Sequence, residues 1–271
     1  MYLIAEITEP SAAIPQLVQI VILAIVQGIA EFLPISSSGH LNVFQSMMGK
    51  LSESAELNIV LHFGTLLAIV GFYWKRIMAL LSSDKRVIPM LILGTVPAAI
   101  IGIYLKKMHE PLLANTLLSG LMFPITGIML IVLSRLKQGE KEYVNMNYKM
   151  VILIGLAQAF ALLPGISRSG STIVMGSFLG LSRQSAATFS FLLAIPAILG
   201  ATVLELKDII EVGKTETPLM PLMAGLVIAF AVGWVSLAIL VKWLEAGKLH
   251  WFAYYLIPFG VIVVIWQLMA V

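Results

Sequence analysis

Apolar residues dominate long stretches of this chain, and polar ones are confined to short breaks between them. Near residues 57–74, 88–105, 115–134, 186–206, 219–241 and 250–270, Leu, Ile, Val, Ala and Met run on with hardly a charge, each stretch bounded by charges, Gly or Pro. Stretches of about 18 residues or more match a hydrocarbon core of about 30 Å at 1.5 Å per helical residue, so the pattern predicts six membrane-crossing helices. A barrel would need short segments of strict alternation, which are absent, so the expected fold is an all-α integral membrane protein.

Two further apolar regions, about 13–48 and 150–182, are each interrupted in the middle by a turn rich in Pro, Ser and Gly. A turn at membrane depth leaves backbone N–H and C=O groups without helical partners, which is tolerated only inside protein or beside a polar cavity. Each region therefore reads as a re-entrant helical hairpin. The two are copies: Gln27 to His40 aligns with Gln158 to Ser171 at a constant offset of 131 residues. Later stretches echo one another too, Leu66 to Ile69 with Leu192 to Ile195 and Gly120-Leu121 with Gly225-Leu226. The chain thus reads as one membrane domain over 1–271, with repeat one at about 13–134 and repeat two at about 150–270. Three crossings per repeat, an odd number, make the second repeat inverted.

Charge orients this arrangement. With the N-terminus outside, the loops at 75–87, 135–149 and 242–249 lie inside and carry Lys75, Arg76, Lys85, Arg86, Arg135, Lys137, Lys141, Lys149, Lys242 and Lys248. Only Lys50, Lys106, Lys107, Lys207 and Lys214 then lie outside, so the positive-inside rule places both termini outside and lets the hairpins meet from opposite faces. The composition agrees: 271 residues, 59% hydrophobic and 11% charged, with a mean hydropathy of +0.98. The net charge of +3 is explained by orientation rather than by nucleic-acid binding. The absence of cysteine excludes disulfides, thiolate catalysis and cysteine-bound metals. The segment 1–11 carries Glu6 and Glu9 without Lys or Arg, unlike the basic start of a cleaved signal peptide, and is expected to stay attached.

The chemistry is concentrated in the two turns. Glu31, Ser36, Ser37, Ser38 and His40 fall within ten residues in apolar surroundings, where ionisable groups are expensive and usually functional. Helix capping by the serines and a backbone bond from His40 would be the structural explanation, but the cluster exceeds what capping needs. Gln27 and Glu31, four residues apart, share a helix face and suit a hard divalent cation, Mg²⁺ or Ca²⁺, if substrate phosphates complete the set. The second turn, Pro164 to Thr172, sets Arg168 among Ser167, Ser169 and Gly170 at a helix start, an arrangement that cradles phosphate; an Arg168–Glu31 pair is the structural alternative. His62, Thr65, Thr95, Thr126 and Gln158 stand alone in apolar spans and are expected to make interhelical hydrogen bonds.

At these residues the chain resembles the undecaprenyl-diphosphate phosphatase family of bacterial inner membranes, also called bacitracin-resistance proteins. One signature of that family is met by Gln27 through His40, including Phe32-Leu33-Pro34 and Ser36-Ser37-Ser38-Gly39-His40, and a second by Pro164 through Gly170. The resemblance implies hydrolysis of a C55 polyprenyl diphosphate to the monophosphate that carries cell-wall precursors, assisted by a divalent cation, at a site reached from the outer, periplasmic face. Carried over by position, Glu31, Ser37, His40 and Arg168 are catalytic, Glu31 also binds the metal, and Gln27, Ser36, Ser38, Gly39, Ser167, Ser169 and Gly170 bind substrate. Gln27 departs from the Glu that many relatives carry, which weakens a two-carboxylate metal site. Ser37 is the preferred nucleophile among Ser36, Ser37, Ser38, His40 and water. The partners expected are polyprenyl diphosphate and membrane lipid, with no nucleic acid, and the oligomeric state is left open between monomer and homodimer. A polyprenyl-phosphate transporter or flippase is the competing class, since inverted repeats with broken helices also build carriers.

Overall fold

The computed structural model describes residues 16–48, 54–212 and 218–270. The acidic segment 1–11, Lys50 and Lys214 lie outside them. Within the described residues the chain is helical apart from turns and one isolated bridge between Lys141 and Leu181. Six helices there are long and apolar enough to cross a membrane: α3 (Ala55–Phe72), α5 (Val87–Met108), α7 (Thr116–Arg135), α10 (Arg183–Val212, with Arg183–Lys207 as its apolar part), α11 (Leu219–Glu245) and α12 (Trp251–Met269). They coincide with the six apolar stretches to within a few residues. The protein is therefore a multi-pass membrane protein. Large apolar side chains such as Ile92, Ile100, Val203, Val227 and Ile262 point outward from these helices.

The interrupted regions form two helical hairpins, α1 (Gln16–Ala30) with α2 (Ser37–Met48) and α8 (Tyr148–Phe160) with α9 (Arg168–Phe178). Among the described residues the longest arm has 15 residues, about 22 Å of helix, shorter than a core of about 30 Å. The loops also hold α4 (Trp74–Leu81) and α6 (Glu110–Leu113), which the apolar pattern does not predict because they are too short and too mixed. Packing follows the order of the elements: α1 lies against α11, α8 against α5, α3 against α10 and α7 against α12. Exchanging the first set of elements for the second maps these contacts onto one another.

The hairpin tips touch. A Cβ on Gly39 would lie 2.7 Å from the Gly165 nitrogen and 2.8 Å from the Phe123 ring. Gly165 itself has φ +95°, and a Cβ there would strike the Ser119 carbonyl. Ser36 enters α2 with φ 73°, and its hydroxyl accepts the Gly165 N–H at 3.2 Å and the Gly39 N–H at 3.4 Å. Thr126 of α7 secures the second tip, donating to the Gly165 carbonyl at 2.8 Å and accepting the Ser167 N–H at 3.1 Å. The backbone groups released by the turns thus find partners in the opposite tip and in α7.

Gly165→Ala needs a left-handed backbone at a cost of about 1–3 kcal/mol and must also displace Ser119, so thermal unfolding in detergent is expected to drop markedly or folded protein to be lost. Gly200→Ala in α10, where nothing lies within 4 Å of the added Cβ, is expected to leave the midpoint unchanged or raise it. Equal midpoints for the two variants would refute the tip-packing account.

Candidate active site

Glu31 lies in the turn just after α1, and Arg168 is the first residue of α9. Their side chains meet across the contact of the two hairpins, with Arg168 Nη2 2.7 Å from Glu31 Oε1 and side-chain exposures of 17% and 8%. Arg168 Nη1 donates to the Ser190 carbonyl of α10 at 3.2 Å, which fixes the guanidinium plane. The other carboxylate oxygen, Glu31 Oε2, accepts the Ser37 hydroxyl at 2.7 Å and the Gln27 amide at 3.2 Å. A buried carboxylate is stable only with such compensation, and here three donors surround it.

The remaining predicted residues divide into two groups. Ser36, Ser37, Ser38, Ser167 and Arg168 join Glu31, Ala30, Ala161 and Ile166 around a cavity of about 40 Å³, room for a few waters at most. Ser38 is exposed, Ser37 half-buried, and the Ser36 and Ser38 hydroxyls stand 3.5 Å apart. Ser167 caps α9 by accepting the Gly170 N–H at 3.1 Å, and its hydroxyl also lies 3.2 Å from that of Ser169. Gly170 and Ser167 are therefore already engaged in the helix start.

His40 is not brought into this group. Its Nδ1 pairs with the Ser36 carbonyl at 2.8 Å and its Nε2 with the Tyr255 hydroxyl of α12 at 2.8 Å. The ring stacks on Phe259 at 5.0 Å and 6° and is flanked by Phe123. Although His40 follows Ser37 by three residues, both of its nitrogens are occupied and its ring is held between aromatics, so the group nearest the Ser37 proton is Glu31. Tyr255, Phe123, Phe259 and Ser190 gave no local sequence signal, because each lies in an apolar stretch and acts over more than 20 residues of separation.

The isolated polar residues also differ from expectation. Thr126 does bond between helices, but Thr65, Thr95 and His62 bond back to carbonyls of their own helices. The buried amide of Gln158 has no partner. Among the described residues no three His, Asp or Glu side chains converge as a metal cluster. Gln27 Oε1, however, is buried with no hydrogen-bond partner, an acceptor left open beside the only carboxylate of the cavity.

Comparison with known proteins fits this geometry. The family model described as "Bacitracin resistance protein BacA" matches residues 20–262, which contain every group named above. A protein of Rhodopirellula baltica named undecaprenyl-diphosphatase is 54% identical over 254 residues, covering 93% of this chain and 99% of that protein. Proteins of the same name from Carboxydothermus hydrogenoformans, 40% identical over 92% of this chain and 97% of theirs, and Halothermothrix orenii, 37% identical over 92% and 98%, are similar along nearly their whole length. With a match of this extent enclosing both hairpins and the Glu31–Arg168 centre, the chain belongs to the bacitracin resistance protein BacA family.

Proposed function

We propose that this chain hydrolyses undecaprenyl diphosphate to undecaprenyl phosphate and phosphate, returning the lipid carrier to cell-wall synthesis and so conferring bacitracin resistance. The observation that carries the chemistry is the Ser37 hydroxyl 2.7 Å from Glu31, with the same carboxylate paired to Arg168 from the other hairpin. The names of the relatives supply the substrate.

The cavity is too small for a diphosphate while Arg168 rests on Glu31. Substrate binding therefore transfers Arg168 Nη2 from the carboxylate to the phosphate, an exchange of one charged hydrogen-bond acceptor for another. Glu31 is then free to take the Ser37 proton. The Ser37 oxygen attacks the terminal phosphorus, the bond to the bridging oxygen breaks, and undecaprenyl phosphate leaves carrying that electron pair. Glu31 passes the serine proton to that departing phosphate and is ionised again; water next attacks the phosphoserine, Glu31 takes the water's proton and delivers it to the serine oxygen, and phosphate is released. The Arg168 and Ser169 N–H groups, which precede the capped Gly170 at the start of α9, and the Ser169 hydroxyl stabilise the transferring phosphoryl group. His40 buttresses the Ser36 turn that sets the direction of Ser37, and transfers no proton.

Glu31 Oε1, once released by Arg168, and Gln27 Oε1 would hold a Mg²⁺ or Ca²⁺ ion together with diphosphate oxygens, and such an ion supplies charge neutralisation. The distribution of basic loops supports both termini outside, in a bacterial plasma membrane with the site reached from the outer face. The duplicated hairpins support re-entry from opposite sides.

Arg168→Ala leaves a buried carboxylate short of a partner, at a cost of about 3–5 kcal/mol, so Arg168→Lys is the cleaner probe. It should fold normally and release phosphate about a hundredfold more slowly, since a point charge cannot replace the fork; near-normal turnover would exclude the clamp.

Ser37→Ala should reduce turnover by several orders of magnitude. Phosphoenzyme trapped from labelled substrate should be acid-stable and map to Ser37, and an acid-labile label on His40 or a fully active Ser37→Ala would reject serine attack.

Exhaustive chelation with EDTA should abolish phosphate release, and added Mg²⁺ or Ca²⁺ should restore it, with Gln27→Glu active at lower metal concentration. Full activity after chelation would remove the cation from the reaction.

A further inference from the structure

A second and larger cavity, about 470 Å³, lies where α3 ends, α4 and α10 begin and α11 ends. Ring packing walls it off from the active site: Tyr73 stacks on Phe191 at 5.7 Å, and Phe191 meets Phe32, the neighbour of Glu31, edge-on at 5.8 Å. The hydrolytic mechanism uses none of its lining. Two hydroxyls face it from the wall, Tyr73, 8% exposed, and Thr188, 6% exposed. Neither has a hydrogen-bond partner among the described residues. Both side chains are otherwise enclosed and their hydroxyls open only onto the cavity, where a ligand can complete them.

The charge of the rim says which ligand. Lys75 and Arg76, both exposed, follow Trp74 in the first turn of α4, whose start has no side-chain cap. Two cations, open hydroxyls and a positive helix end together favour a phosphate. Across the cavity stands Glu245, the last residue of α11, which disfavours a bare anion and suits a group carrying positive charge. Phe72, Ala187, Val241 and Leu244 complete an apolar floor, and exposed Trp74 stands at the rim as aromatic residues do at a bilayer surface. We infer that this cavity is a binding site for a zwitterionic phospholipid headgroup, phosphoethanolamine, with its phosphate on Lys75, Arg76, Tyr73 and Thr188 and its ammonium on Glu245. The lipid tails run down the outside of α3 and α11, in the basic-loop leaflet opposite the one from which the diphosphate is reached.

The test uses the full chain, delipidated in non-ionic detergent, with added phosphatidylethanolamine counted by native mass spectrometry. Phosphatidylethanolamine is expected to bind at least about tenfold more tightly than phosphatidylglycerol, which keeps the phosphate but lacks the ammonium. The Lys75→Ala/Arg76→Ala double variant and, separately, Thr188→Val should each weaken retention, while Glu245→Gln should abolish the preference between the two lipids. Phosphate release in detergent by all of these variants should stay within about twofold of the parent, which also shows that they fold. Unaltered retention by both the double variant and Thr188→Val would overturn the site. Displacement of the lipid by equimolar inorganic phosphate or polyprenyl monophosphate would overturn the headgroup assignment.

Discussion

Reversing a chain inside an apolar bundle exposes backbone groups that neither helix geometry nor lipid can satisfy, and the centre of this molecule is organised around that cost. The two tips resolve it jointly. Ser36 from one accepts N–H groups from both, Thr126 from α7 bonds the other twice, and glycines at 39 and 165 let the backbones close to contact. Because the tips support each other, each is held only in the presence of the other. The charged residues that they carry are thereby delivered to a single point.

That point holds one carboxylate and one guanidinium, from two hairpins whose sequences align at a constant offset. Glu31 and Arg168 do not occupy matching positions of the repeat; Ser37 matches Arg168, and Leu162 matches Glu31. The carboxylate and the serine that the proposed reaction uses as proton acceptor and nucleophile thus come from one hairpin, and the proposed anion clamp from the other. Bringing the sets together creates a buried pair whose partners are of more use to a phosphorylated substrate than to each other. A buried ion pair contributes little net stability, so exchanging Arg168 from carboxylate to phosphate asks little of the fold.

The two cavities are built differently, in keeping with the two ligands proposed for them. The one at the hairpin tips is small, closed by its own ion pair and lined by short hydroxyls, as suits the proposed binding, attack and release of a phosphoryl group. The second is roomier, rimmed by long cations on a surface helix and floored by apolar side chains, as suits a headgroup that simply resides. The contacting rings of Phe32, Phe191 and Tyr73 lead from the neighbour of Glu31 to the wall of the second cavity.

Much of this was legible before any coordinates. The six crossings, the two interrupted regions and the four residues Gln27, Glu31, Ser37 and Arg168 follow from apolar length, from Pro and Gly in apolar runs and from the cost of ionisable groups in lipid, all of which are local properties of a one-dimensional pattern. Helix α4 was not legible, because eight residues of mixed character have no distinctive period. The role of His40 was not either. Spacing on a helix says which residues share a face, but the direction of an imidazole is set by what it can reach, and Tyr255 and Phe259 lie more than 200 residues away. The same holds for Thr126 and for the open hydroxyls of Tyr73 and Thr188. The sequence by itself determined which groups are expensive enough in a bilayer to need a purpose, and only the tertiary structure decided which of them meet, because pairing depends on distances that packing creates and chain order does not encode.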